Sequence, residues 1–344
     1  MRFLIVGLGG IGQRHLRNLR ALLGEEAEVL AWRTRGASFV LDDRLRVEVD
    51  SGLEERHRVR TVPTLEDGLA ANPDAVFVCN PSSLHLEVAR AAAGAGCHLF
   101  VEKPLADTLA GVDELIAAAE GKGLVTQVGY QLRFHPLVRR VKQLLEENAV
   151  GPPLAARFEV GEYLPGWHPY EDYRRMYASR RDLGGGVILS QIHELDLVSW
   201  FFGMPRRLFA LAGHWTGLEV DVEDVASTLL ECRQDGRPLP VHVQQDFIQR
   251  PGSRTAEIVG ENGKIVLALH RSELRVLRAV GGEPETQCLD NFERNELFLA
   301  ELRHFLACLR GEESPLVQLR AGAESLRIAL AALESASSGL AVTP

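Results

Sequence analysis

The sequence predicts an α/β protein in two parts, 1–130 and 131–344. Three observations carry that expectation. Up to about residue 130, short apolar runs alternate with amphipathic helical patterns. A glycine-rich turn joins the first run to the first helix, and six apolar runs from Leu208 to Leu277 follow one another in series. Alternation of strand and helix implies a parallel, doubly wound sheet, whereas strands in series imply an antiparallel-rich one. A chain of 344 residues fits two domains of about 100–200 residues each.

The elements of the first part read in order. Arg2 to Val6 is an apolar run, Gly7-Leu8-Gly9-Gly10-Ile11-Gly12 follows at once, and Ile11, Leu16, Leu19, Leu22 and Leu23 mark an amphipathic helix that stops at Gly24. Glu28 to Trp32 is the next strand. G-x-G-x-x-G is informative in this strand–turn–helix–strand context. Its glycines permit a tight turn and bring backbone close to a pyrophosphate, and the helix start supplies unpaired N–H groups. This places a dinucleotide on a Rossmann sheet, with Gly7, Gly9, Ile11 and Gly12 at the phosphates. Helix patterns at Leu65–Ala71, Leu84–Ala95 and Leu109–Ala119 then alternate with strands at Ala75–Cys79, His98–Val101 and Leu124–Val128.

In an open α/β sheet, ligands sit outside the carboxyl ends of the strands. Two such ends carry polar residues: Asn80-Pro81 with His85, and Glu102-Lys103-Pro104. Pro104 disfavours helical geometry at Lys103 and opens the cis option for their peptide bond. Asn80, Pro81, His85, Glu102 and Lys103 are therefore expected at the cofactor. After Trp32 come Arg33 and Thr34, with no acid before Asp42. An acid there would hold a ribose 2′-hydroxyl, whereas an arginine accommodates the 2′-phosphate. The expected cofactor is NADP or NAD, with a lean to NADP.

Composition narrows the class. Net charge is −9, with 46% hydrophobic and 25% charged residues, which is ordinary for a globular chain and argues against nucleic acid as partner. The five cysteines are scattered without zinc-like spacing, so no metal site is expected and reduced thiols are the simple reading. No signal peptide pattern and no membrane-length apolar run is present. The expectation is a soluble cytoplasmic protein.

The combination of Gly7-Leu8-Gly9-Gly10-Ile11-Gly12, Asn80-Pro81 with His85, Glu102-Lys103-Pro104, Val128 to Pro136, Gly184-Gly185-Gly186 and His193-Glu194-Leu195-Asp196 resembles the glucose–fructose oxidoreductase / inositol dehydrogenase (Gfo/Idh/MocA) family over nearly the whole chain. The resemblance implies an N-terminal Rossmann dinucleotide-binding domain and a C-terminal α/β domain with a large, mostly antiparallel open sheet that binds substrate and mediates oligomerisation. It implies a homodimer or homotetramer. It also implies a general acid/base histidine at His193 within its His-x-x-Asp pattern. Many relatives carry an aspartate about one turn earlier; Leu189 and Ser190 stand there instead.

The second part is consistent with that pattern. Leu137–Glu147 reads as a helix and Leu154–Tyr163 as a strand, the serial strands follow, and Leu297–Leu309 and Leu319–Ala332 read as helices. Val187 to Phe202 reads as one apolar helix ending at Gly203, with His193 and Asp196 on one face. Between Tyr163 and Leu183 lies a long segment with Trp167, His168, Tyr173, Arg174 and Arg175. Such a segment is a substrate wall or a subunit contact.

These residues give an expected chemistry: an oxidoreductase moving hydride between a nicotinamide and a secondary alcohol or ketone of a sugar, sugar derivative or cyclitol. Histidine titrates near neutrality and suits proton transfer, and lysine keeps its charge and suits oxygen stabilisation. His193 and Lys103 take those roles, and Arg133, Trp167, His168, Tyr173, Ser190 and Asp196 are expected at the substrate. Arg174 and Arg175, with Arg133, offer local cation sites for a carboxylate or phosphate. The alternative is a dinucleotide-binding sensor of the same fold without turnover.

Overall fold

Continuous apolar runs make the first sheet, because strands covered by helices on both faces have no polar side. The computed structural model describes residues 1–33, 39–42, 46–48, 52–279 and 283–344. Its chain divides into two compact units, the first comprising Met1–Tyr130, His168–Glu171 and Arg294–Ala323 and the second Gln131–Trp167, Asp172–Glu293 and Glu324–Pro344.

In the first unit, strands β1 (Arg2–Val6), β2 (Glu28–Trp32), β3 (Val59–Val62), β4 (Ala75–Val78), β5 (His98–Val101) and β6 (Thr126–Val128) form one sheet in the order β3-β2-β1-β4-β5-β6. Every pairing in it is parallel. The order reverses between β1 and β4, so the crevice for a ligand opens where the Gly7 turn and Asn80 lie side by side. Helix α1 (Gly10–Leu23) covers one face with Leu16 and Leu19 fully buried. The chain returns late to this face: Leu302, Phe305 and Leu306 join the core of Phe3, Ile5, Phe77 and Phe100. Phe77 and Phe100 stack at 4.9 Å, and Phe305 meets both edge-on at 5.7 and 5.4 Å.

The second unit carries an eight-stranded sheet: β7 (Pro153–Gly161), β8 (Arg207–Gly213), β9 (Val225–Gln234), β10 (Arg237–Asp246), β11 (Ser253–Gly260), β12 (Gly263–Ala268), β13 (Glu273–Arg278) and β14 (Glu285–Cys288), in the order β8-β9-β10-β7-β11-β12-β13-β14. Only the β10–β7 pairing is parallel; the other six are antiparallel. The mostly antiparallel sheet is the one expected. Alternation along the strands buries Phe158, Val160, Ala210, Leu230 and Val243 on one face. On the other face the cross-strand partners Phe209 and Leu229 remain 39% and 54% exposed.

One helix differs from expectation. Val187–Phe202 is two helices, α2 (Val187–Ser190) and α3 (His193–Phe202), separated at Gln191, whose backbone leaves the helical region (φ −102°, ψ 36°). The reason is long-range. Gln191 Nε2 donates to the Asp246 carbonyl at 3.0 Å, and the Gln191 carbonyl accepts from Gln245 Nε2 at 2.8 Å. The end of β10 thus takes over hydrogen bonds that a continuous helix would keep. Helices Asn295–Leu309 and Leu319–Ser338 follow; the second runs six residues past its expected end at Ala332. Among the described residues, no helix is long and apolar enough to cross a membrane.

Candidate functional site

The crevice of the first unit is built from close backbone approaches. Gly7 has φ +92°, and a Cβ there would lie 2.8 Å from the Cys79 carbonyl oxygen and 2.9 Å from the Asn80 nitrogen. A Cβ on Gly12 would collide with the Gly7 carbonyl oxygen, so α1 starts hard against the turn. On the open side, among the described residues and apart from its own chain neighbours, no heavy atom lies within 4 Å of the position a Cβ would take on Gly9. Gly9 is the N-cap of a 14-residue helix and makes no side-chain cap bond. First-turn N–H groups, including that of Ile11, thus follow an N-cap that has no side chain to accept from them, which fits the diphosphate of a dinucleotide.

Buried polar side chains brace this turn. Gln13, fully buried, donates from Nε2 to the carbonyls of Leu8 (3.2 Å) and Phe39 (3.1 Å) and accepts from Leu41 N at 2.8 Å. Tyr170 lies across the start of α1, its hydroxyl 2.5 Å from where a Gly10 Cβ would stand. Sequence reasoning passed over both residues. Gln13 leaves a readable trace, a polar residue on the buried stripe of an amphipathic helix. After β2, Arg33 Nη1 lies 3.7 Å from Glu54 Oε1, so the charge of the arginine is partly compensated. Thr34 lies outside the described residues.

At the end of β4, Asn80 Nδ2 donates to the Leu84 carbonyl at 3.2 Å, and Pro81 precedes a short 3₁₀ turn. His85 is buried, with Nδ1 2.8 Å from the Pro104 carbonyl and Nε2 2.8 Å from the Asn80 carbonyl. Both ring nitrogens of His85, a residue expected at the cofactor, face backbone carbonyls of two strand-end loops. A neutral ring can donate to only one of the two carbonyls. Burial pulls this imidazole below its ordinary pKa, against the opposing pull of both carbonyls.

At the end of β5, Glu102 is buried and Lys103 half-buried, and the Lys103–Pro104 bond is cis. One Glu102 oxygen contacts His15 Nε2 at 2.7 Å and the other accepts the Lys103 N–H at 3.2 Å. The carboxylate therefore orients the Lys103 backbone. His15 was also passed over; like Gln13, it is a polar residue on the buried face of α1.

In the second unit, His193 opens α3 and is buried, as are Ser190 and Asp196. Gly186 has φ +103°, and the Glu223 carboxylate fills the space a side chain there would need while accepting from Ile188 N at 3.1 Å. Burial pushes the Glu223 carboxyl up to about 7. Asp196 accepts from Arg133 Nε at 2.9 Å, Arg133 Nη2 at 2.7 Å and Ser325 Oγ at 2.9 Å. Arg133 and Asp196 were expected at the substrate. In the structure they are engaged with one another out of solvent, and they tie α3 to the segment after β6, because a buried charge needs a close counter-charge.

The long segment after β7 is distributed between the units. Trp167 packs edge-on against Phe247 at 5.4 Å, and the Tyr173 hydroxyl accepts from Glu219 N at 3.1 Å in the second unit. His168 belongs to the first unit, stacked on Tyr170 at 5.1 Å and 2.7 Å from Glu171 Oε1. Arg174, expected to offer a cation to an anionic substrate group, already pairs with Asp172 at 2.8 Å and Glu219 at 3.1 Å.

Comparison with known proteins agrees with this architecture. Residues 1–130 match the GFO/IDH/MocA model described as an oxidoreductase family with an NAD-binding Rossmann fold. Residues 138–266 match the GFO/IDH/MocA C-terminal domain. Myo-inositol 2-dehydrogenase of Thermotoga maritima is 28% identical over 345 residues, 97% of this chain and 96% of that protein. Inositol 2-dehydrogenase of Acidothermus cellulolyticus is 30% identical over 291 residues, 82% of this chain and 76% of that protein. Among solved structures, the WlbA dehydrogenase of Bordetella pertussis, in complex with NADH and UDP-GlcNAcA, shares the fold at a TM-score of 0.80 and 23% identity, covering 100% of this chain and 98% of that one. The chain belongs to the GFO/IDH/MocA family of NAD-binding oxidoreductases.

Proposed function

We propose that this protein is an NAD(P)-dependent dehydrogenase that interconverts a secondary alcohol and a ketone on a sugar, sugar derivative or cyclitol. The observation that carries the reading is the uncapped α1 start beside the open Gly9, in a chain whose relatives along nearly its full length include inositol dehydrogenases. Gly7, Gly9, Ile11 and Gly12 hold the diphosphate, and Asn80 and Pro81 border the crevice. When bound, the nicotinamide supplies the hydride acceptor or donor. Lys103 holds and polarises the reacting oxygen. His193 takes the hydroxyl proton on oxidation and returns it on reduction. Ser190 offers a hydroxyl without charge where many relatives carry an aspartate, which suits a neutral polyol. Trp167, His168 and Tyr173 form the substrate wall, combining apolar ring faces with hydrogen-bonding groups as a sugar ring does.

The cofactor reading keeps its lean to NADP, because no acid follows Trp32 directly and Arg33 does. The apolar patch around Phe209, Leu211 and Leu229 on the open sheet face supports a homodimer or homotetramer. Steady-state kinetics test the roles. Lys103→Ala and His193→Ala should each lower kcat by ~10²–10⁴-fold while dinucleotide affinity stays near wild type. Near-full kcat in either variant refutes that residue's role.

A further inference from the structure

Lys103 leaves β5 between two buried histidines. On the Glu102 side, His15 Nε2 lies 2.7 Å from one carboxylate oxygen, and the other oxygen accepts the Lys103 N–H at 3.2 Å. On the Pro104 side, His85 joins the Pro104 carbonyl to the Asn80 carbonyl, each at 2.8 Å. His15 and His85 are 0% and 1% exposed, so neither is placed to touch substrate.

The carboxylate has little room to move. A Cβ on Gly129 would lie 3.1 Å from Glu102 Cδ. The His15 ring is walled by Phe100 at 4.8 Å, Phe77 at 5.5 Å and Phe298 at 6.4 Å. Its Nδ1 is buried without a hydrogen-bond partner among the described residues. An apolar side chain at position 15 would join this aromatic core without burying a polar nitrogen, so packing alone does not call for histidine. The geometry does provide a fixed donor to the residue before Lys103 and a fixed tie to the residue after it. Functional groups need placement within about 0.5 Å, which a strand end anchored on one side alone does not give.

We propose that His15 and His85 are positioning residues for Lys103, fixing the Glu102 and Pro104 flanks of its strand end. The inference rests on the reading that Lys103 acts on the reacting oxygen. It adds that the ammonium works only while both flanks are held.

The test compares His15→Leu, His85→Phe, His15→Gln and His85→Asn in wild-type and Lys103→Ala backgrounds, reading kcat, KM and dinucleotide Kd. The apolar variants should lower kcat ~10–100-fold with Kd changed less than about threefold. His15→Gln and His85→Asn, whose amides stand where His15 Nε2 and His85 Nδ1 stand, keep an N–H donor and should recover part of that loss. In the Lys103→Ala background the same substitutions should change residual kcat less than about twofold, because no ammonium remains to be placed. Undiminished histidine effects in that background, or effects confined to Kd, overturn the proposal. Loss of kcat in Lys103→Ala with none in the apolar variants overturns the positioning and leaves the Lys103 role standing. Full kcat in Lys103→Ala overturns both. If Leu or Phe prevents folding, His15→Asn, too short to reach Glu102, and His85→Gln, whose amide stands away from the Nδ1 position facing Pro104, carry the same comparison.

Discussion

Replacing Asp196 with alanine should cost about 3–5 kcal/mol of folding stability, because it removes a bidentate counter-charge from the buried Arg133 guanidinium. The two side chains are 5% and 1% exposed, and Asp196 accepts two hydrogen bonds from Arg133 and one from Ser325. The Arg133 guanidinium also lies over Trp200, 5.3 Å from the ring centroid, and that contact does not replace an anion. The single variant removes the carboxylate that accepts both guanidinium bonds and leaves the buried charge less well compensated. Removing both partners, as Arg133→Met with Asp196→Leu, removes the charges together and should cost much less than the two singles added. Urea unfolding of the four proteins gives the cycle, with an expected coupling of about 2 kcal/mol or more. Additivity within about 0.5 kcal/mol, or an Asp196→Ala cost below about 1 kcal/mol, would refute the view that these residues tie α3 in place.

Other perturbations probe separate parts of the molecule. The Glu223 carboxyl is raised from 4.5 to about 7 by burial, so the folded chain keeps that proton to higher pH than the unfolded chain. Its contribution is full below about 4.5 and is lost as pH rises through about 7, amounting to about 3 kcal/mol, and Glu223→Gln should flatten that slope in unfolding midpoints measured across the window. Gly12→Ala should weaken dinucleotide binding at least ~10-fold by pushing α1 off the turn, and calorimetric Kd values near wild type would contradict this. Kd values for NADP and NAD test the reading of Arg33, and a clear preference for NAD refutes the lean. His168→Ala and Tyr173→Phe should raise KM for the sugar more than Kd for the cofactor; unchanged KM with altered oligomer mass would make the segment a subunit contact.

Local pattern made much of the fold legible. The Gly7–Gly12 turn sits between a continuous apolar strand and an amphipathic helix, and both periods are visible in ten or so residues. Strand β3 escaped because its four residues include the exposed Arg60 and Thr61 and show no run or alternation. The break before His193 escaped because its cause, the end of β10, lies more than fifty residues away. The same distance effect governs the site. Lys103 was legible as a charge at a strand end, but its brace comes from His15, 87 positions before Glu102 in the chain. Arg133 and Asp196 were legible as polar residues near the chemistry. Their engagement with one another across 63 positions was not, because spacing does not encode a pairing between segments.

The most direct test is turnover with carbon-deuterated inositols and sugars, each supplied with NAD and NADP, followed by analysis of the reduced nicotinamide. The proposed chemistry requires deuterium from the alcohol carbon to appear on the nicotinamide ring, with the hydroxyl proton released to solvent. No turnover across the panel by a protein that binds the dinucleotide, or reduction without deuterium transfer, would contradict it.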